Sequence, residues 1–408
     1  MLRTFKSLIL DSVLIGLIAL CPVQAKSYKV LYYFNGGTDG ASPAGPLLLD
    51  SSGNLYGTTQ NGGGKGCNSL GCGTVFKLAA DGTETVLYAF RKSAKANTGA
   101  YPVSGVIEDA NGNLYGTTQD GGRPGCFNEY GCGTIFKISP RGKKTTVARF
   151  DGNNGDDPSS SLIQDQMGNI YGTTQLGGEH GHGTIYKLQP NNVFTTFYSF
   201  AGGNDGSDPV SPLLEDSSGN FYGTTTEGGG YDNCDDSGFD CGTIFEISSD
   251  GNERVLYAFQ GEADGSFPMS NLVTDASGNL YGTTESGGMG CSLDEGCGTI
   301  FKLTPDGIKT ALYEFKGGDD GAFPGGNLVM DPQGNLFGTA SWYGANGNGV
   351  IYEMAQNGTF TVLHSFNGDD GSTPNGGLIM STEGALYGNT SSGGLGACGC
   401  GTIFEFRP

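Results

Sequence analysis

Apolar positions in this chain come in short runs, separated by stretches rich in Gly, Asp and Asn, and the same runs return in the same order. The clearest is Gly53-Asn54-Leu55-Tyr56-Gly57-Thr58-Thr59, which recurs at residues 112–118, 168–174, 219–225 and 278–284, and more loosely at 334–340 and 384–390. Its aromatic anchors are Tyr56, Tyr115, Tyr171, Tyr222, Tyr281, Phe337 and Tyr387, about fifty to sixty residues apart. A period of this size marks a repeat architecture, in which each unit buries its apolar faces against its neighbours.

One unit reads as four short strands. Leu47-Leu48-Leu49 is closed by Asp50-Ser51-Ser52-Gly53-Asn54, a turn in which the carboxylate accepts backbone N–H groups and Gly supplies the positive φ. Residues 55–59, 73–78 and 85–90 follow as the next three strands, the last two joined by a tight Asp81-Gly82 turn. Both faces of each strand carry apolar residues, as a sheet sandwiched between two others requires. Four strands in each of seven units predict an all-β fold, a seven-bladed β-propeller of four-stranded antiparallel blades. The phase of the ends predicts how the ring closes. Residues 29–34 match the fourth-strand pattern and residues 401–406 the third, so the N-terminal strand completes the last blade. The turns after the first and third strands are short, whereas those after the second and fourth are long and share one face. Function can vary on that face without disturbing the core.

The unit, with its Gly-Asn-Leu-Tyr-Gly-Thr-Thr, Gly-Gly, Gly-Thr-Ile-Phe-Lys-Leu, Val-Leu-Tyr-x-Phe and Asp-Gly-x-x-Pro segments, resembles the GloVer tandem repeat, named for Gloeobacter and Verrucomicrobia. The resemblance covers essentially all of residues 28–408. It implies secreted or cell-surface repeat proteins and carries no activity to any residue. A weaker similarity is to kelch propellers, which also place Gly-Gly after the second strand. The copper ligands of some kelch oxidases have no counterpart here.

Composition changes the picture mainly at the N-terminus. Arg3 and Lys6, an apolar stretch over residues 8–20 and Val23-Gln24-Ala25 read as a signal peptide over residues 1–25, leaving residues 26–408 as a single repeat domain. Lipidation at Cys21 is the alternative, disfavoured by Leu20. No second apolar stretch suggests a transmembrane anchor. A monomer secreted to the periplasm or cell exterior is expected. The formal net charge of −21 repels phosphate backbones, so nucleic acid is a poor partner.

The cysteines give the sharpest chemical signal. Ten of the 11 fall in local pairs, Cys67/Cys72, Cys126/Cys132, Cys234/Cys241, Cys291/Cys297 and Cys398/Cys400, each in the loop after the second strand. In an exported chain they read as disulfides. Zinc is the rival reading, but a pair supplies only two ligands. Cys398 and Cys400 would close a very small ring, which weakens the expectation for that pair.

Units three and six lack cysteines. In their place stand Glu179, His180 and His182 in one, and Trp342 and Tyr343 in the other, nearly opposite across the ring. Together these suggest a shared cleft with a stacking platform for sugar rings and polar or metal-binding partners. The alternative is that both loops merely lost a staple. The Asp-Gly-x-x-Pro loops at Asp39, Asp205, Asp264, Asp320 and Asp370, with Asp156, Asp157, Asp208 and Asp319 nearby, make Ca²⁺ a possible ligand, though a turn-forming Asp explains the motif more simply.

No nucleophile elbow, zinc-protease motif or phosphate loop occurs. His364, in a fourth-type strand, reads as packed rather than catalytic. The expected role is a binding module for an extracellular polysaccharide or surface protein, with no chemistry of its own. A carbohydrate-active lyase or hydrolase and a structural envelope component are the alternatives.

Overall fold

The computed structural model describes residues 26–64, 66–67, 70–91, 98–123, 126, 130–230, 234, 240–291, 293 and 296–408. The expected signal peptide lies outside them. Among the described residues, twenty-eight strands form seven four-stranded antiparallel sheets. The ring closes as its ends imply: Ser27–Tyr33 pairs antiparallel with Thr402–Arg407, from Ser27 opposite Arg407 to Tyr33 opposite Thr402. Among the described residues no helix is long and apolar enough to cross a membrane.

The repeat motif is a set of packing instructions. The second-strand glycine lies beneath the third-strand aromatic ring, and a Cβ on Gly57 would stand 2.6 Å from Phe76, on Gly116 2.6 Å from Phe136. Its φ is ordinary in both places, so close approach, not backbone freedom, requires glycine. The third-strand ring in turn meets the Phe that ends the fourth strand of the preceding blade. Phe34 meets Phe76, Phe90 meets Phe136, and Phe259 meets Phe301, each edge-on with centroids 5.3 Å apart. These rings are 0–2% exposed, and they interlock each blade with the next.

The polar letters are equally constrained. The Asp50 carboxylate accepts the Ser52 and Asn54 N–H groups, the Asn54 amide and the Tyr56 hydroxyl, at 2.7–3.2 Å. The second Thr of the motif bonds the Thr of Gly-Thr-Ile-Phe, as Thr59 with Thr74 at 2.8 Å and Thr118 with Thr134 at 2.7 Å. In blade six Ala340 and Val350 replace that hydroxyl pair with an apolar one, both fully buried. Burying both hydroxyls together or neither avoids an orphaned donor.

All five cysteine pairs are disulfides, with Cα–Cα separations of 5.1–5.6 Å. The small Cys398–Cys400 ring is included. Among the described residues one group of potential metal ligands, Cys126, Cys132 and Asp156, converges within 4.8 Å, but its two sulfurs are bonded to each other.

Candidate functional site

The loops that lead from one blade to the next end in Gly-x-X-Pro, where X is a non-glycine residue held in the left-handed region. Ser42, Tyr101, Asp157, Asp208, Phe267, Phe323 and Thr373 have φ between 53° and 58°. Such conformations persist only where surrounding bonds over-determine them. Here each N–H donates to the preceding blade, as Asp157 to the Cys132 carbonyl at 3.3 Å and Asp208 to the His182 carbonyl at 3.2 Å. The proline that follows packs on the glycine before the third strand of that preceding blade, so that a Cβ on Gly133 would meet Pro158 at 2.4 Å.

This clamp aims the next residue at the axis. Ala44, Val103, Ser159, Val210, Met269, Gly325 and Asn375, one from each blade, line a cavity of about 370 Å³ at the long-loop end, with Gln60, Gln175, Ser104, Ser160 and Asn327 beside them. Below it a second axial cavity of about 560 Å³ is lined by Leu47, Val106, Leu162, Leu213 and Leu272. Both are lined by Pro46, Ser161, Pro212 and Asn327. The axis is therefore hydroxyl- and amide-rich at the mouth and aliphatic at depth.

Two neighbouring clamp residues are acids. Gln119 donates to Asp157 at 2.9 Å and Gln175, which lines the mouth, donates to Asp208 at 3.4 Å. Burial pushes the Asp157 carboxyl up, opposed by the Gln119 bond and reinforced by Asp156 and Asp208. Burial also raises Asp208, opposed by Gln175 and by His182. Glu227 is raised by burial and then by Asp208. Blades three and four thus concentrate desolvated carboxyls beside the mouth, where the other clamp residues are Ser, Thr, Tyr or Phe. In blades two, five and six the aromatic clamp residue shares a hydrophobic cluster with the disulfide of the preceding blade and donates its N–H to that disulfide's second cysteine: Tyr101 to Cys72, Phe267 to Cys241, Phe323 to Cys297. The staples therefore brace the mouth from outside.

The residues singled out in the sequence lie on loops of this face. Trp342 is 56% exposed and Tyr343 37%, and the Trp342 backbone pairs with Ala322. Glu179 and His180 are exposed, and the Glu179 N–H donates to Ser199. His182 fills the second-cysteine position, with its imidazole over Gly202, where a Cβ would stand 2.6 Å from Nε2. Among the described residues no hydrogen bond or ring contact joins the Trp342 loop to the His182 loop. His364 is packed, stacked on Tyr28 at 3.8 Å and bonded to Asp370 at 2.9 Å. The loop aspartates have the turn-forming role: Asp39 accepts from Tyr32 and the Asn35 N–H at 3.0 and 2.9 Å, and Asp320 from Tyr313 and the Lys316 N–H at 2.8 and 3.0 Å. The mouth itself was not apparent from the sequence. The signal available was the residue just after each loop proline.

The Gloeobacter/Verrucomicrobia repeat model matches residues 16–147, 71–293 and 234–408. No match is found among curated proteins. Two solved structures, the extracellular domains of hybrid two-component systems BT3049 and BT4673 of B. thetaiotaomicron, superpose with TM-scores of 0.55 and 0.57 at 12% and 13% identity. They cover 94% and 93% of this chain, which spans about two fifths of their own length (41% and 39%). At this identity the likeness is one of fold.

Proposed function

The chain belongs to the Gloeobacter/Verrucomicrobia repeat family, and from that premise we propose that it is an extracellular binding propeller that seats an oligosaccharide segment of a surface or matrix polysaccharide at its axial mouth. The observation that carries this reading is the convergence of one residue from every blade on a cavity of about 370 Å³ whose walls are Ser, Gln and Asn beside Val and Met. A ligand pocket of this size has few, convergent polar groups on an apolar ground, and sugars present matching hydroxyls and C–H faces. Trp342 and Tyr343 add exposed aromatic surface on the same side, where a longer chain would stack. The five disulfides suit an oxidising, extracellular setting.

The raised carboxyls of Asp157 and Asp208 favour a second reading, in which the mouth also cleaves the glycan. One titration separates the two. The protein is mixed with a polysaccharide panel, with calcium or with EDTA, while Trp342 fluorescence and polymer length are followed together. A saturable signal at constant length supports binding, shortening supports cleavage, and no response to any glycan overturns both.

A further inference from the structure

Each seam between blades contains one recurring slot, where the loop that follows one blade faces the first residue of the next blade's fourth strand. That residue is Glu84, Lys144 and Phe194 in the first three blades and Glu253, Lys309 and Phe360 in the next three. The ring is thus two three-blade units plus a closing blade. The cysteine-free blades three and six are the third of each unit, and the slot chemistry repeats in the same order.

The lysine and phenylalanine slots are satisfied. Lys309, whose side chain is 3% exposed, places its ammonium 2.9 Å from Asp264 and donates also to the Asp264 carbonyl. Phe360 stacks on Tyr313 with centroids 3.8 Å apart. The glutamate slots differ. Asp205 already accepts from Tyr198 at 2.7 Å and the Ala201 N–H at 2.5 Å, and Asp39 from Tyr32 and Asn35. Into each a second carboxyl is pressed, and the Oε1 atoms of Glu84 and Glu253 are buried without a hydrogen-bond partner. Neither glutamate makes an ion pair with a described residue. Burial pushes Glu84 up to about 7 and Glu253 up to about 8, with Asp39 and Asp205 adding to the respective shifts. The facing groups are Asp39 and Tyr32 in one seam, Asp205 and Tyr198 in the other. Both phenols are pushed well above their ordinary value by burial and by those aspartates, so they stay neutral.

We propose that Glu84 and Glu253 are held as neutral acids in slots already occupied by Asp39 and Asp205, making two of the seven seams a pH-sensitive fastening of the ring. A buried carboxyl with a second carboxyl beside it in the same slot does not ionise cheaply. Tyr32, on one of these aspartates, belongs to the N-terminal strand that closes the ring without a covalent link. Deprotonation of Glu84 therefore acts on the closure itself.

The sign follows from linkage. An acid whose folded-state value is raised gives stability that is complete below its unfolded value, about pH 4.5, and lost as pH rises to the folded value. The test is thermal unfolding of the protein between about pH 5 and pH 9. Wild type should lose several degrees of Tm across this range. The double variant Glu84→Gln/Glu253→Gln, which stays neutral, should lose much less. The double variant Glu84→Lys/Glu253→Lys, which copies the Lys309 slot, should exceed wild type at the alkaline end. A wild-type slope in the glutamine pair overturns the proposal. Should that pair fail to fold, a wild-type slope in the lysine pair overturns it equally.

Discussion

The ring of Phe34, carried by the N-terminal strand, meets the ring of Phe76 in the first blade edge-on, at a centroid distance of 5.3 Å and an interplanar angle of 67°. Both rings are fully buried. This contact links the strand that closes the last blade to the first blade. Phe34→Ala should therefore cost about 3–5 kcal/mol, the usual range for a buried Phe, and loosen the closing strand most. Urea unfolding gives the cost, and amide exchange over Ser27–Tyr33 gives the place.

A methyl group on a second-strand glycine should damage the same packing from the opposite direction, by crowding it. In Gly116→Ala the new Cβ would lie 2.6 Å from Phe136, itself wedged against Phe90. Overpacking of this kind costs about 1–3 kcal/mol. Gly142→Ala, at a positive-φ turn with nothing within 4 Å, tests backbone strain alone. A smaller loss there than at Gly116 supports the packing account of the motif.

The turn aspartates set the acid limit of stability. Burial alone would raise the Asp109 carboxyl, but bonds from the Asn113 backbone and side chain, Asn111 and Tyr115 hold it below the usual range, and Asp50, Asp216 and Asp275 are held down in the same way. A lowered acid contributes stability above its unfolded value and loses it as pH falls through the folded one. Stability should therefore fall below about pH 4. Asp109→Ala should lower Tm at neutral pH and flatten that acid limb in proportion.

Reduction of the disulfides should affect the mouth more than the ring. Each staple spans at most seven residues in sequence, so its entropic contribution is about 2 kcal/mol. The reduced protein should keep its far-ultraviolet β signature. Tyr101, Phe267 and Phe323 lose their firm backing, and glycan affinity should drop. Circular dichroism and titration calorimetry on one reduced sample check both halves.

The legible part of this molecule was what each repeat states by itself. Gly57 beneath Phe76, Asp50 under Asn54, and Cys67 beside Cys72 are local or nearest-strand relations, so their letters recur with the period. The seam pairs, such as Asp205 with Glu253, and the mouth, where Ser159 and Asn375 line one cavity, bring together residues from different blades. Nothing in the spacing of a single unit indicates those pairings until the ring closes. Trp342 and His182 stood out because they are rare residues in the two loops that lack cysteines, but rarity carries no distance information. The position of Glu84 and Glu253 within a three-blade unit was available in the anchor spacing, which repeats after every third blade.

The most direct test of the central claim is titration calorimetry of wild type and a Ser159→Trp variant with an oligosaccharide that shifts Trp342 fluorescence. Ser159 lines the mouth, and an indole there should fill much of it. The account predicts an unchanged Tm and at least a tenfold loss of affinity, about 1.4 kcal/mol. Wild-type affinity in a fully folded Ser159→Trp variant would contradict it and move the binding site off the axis.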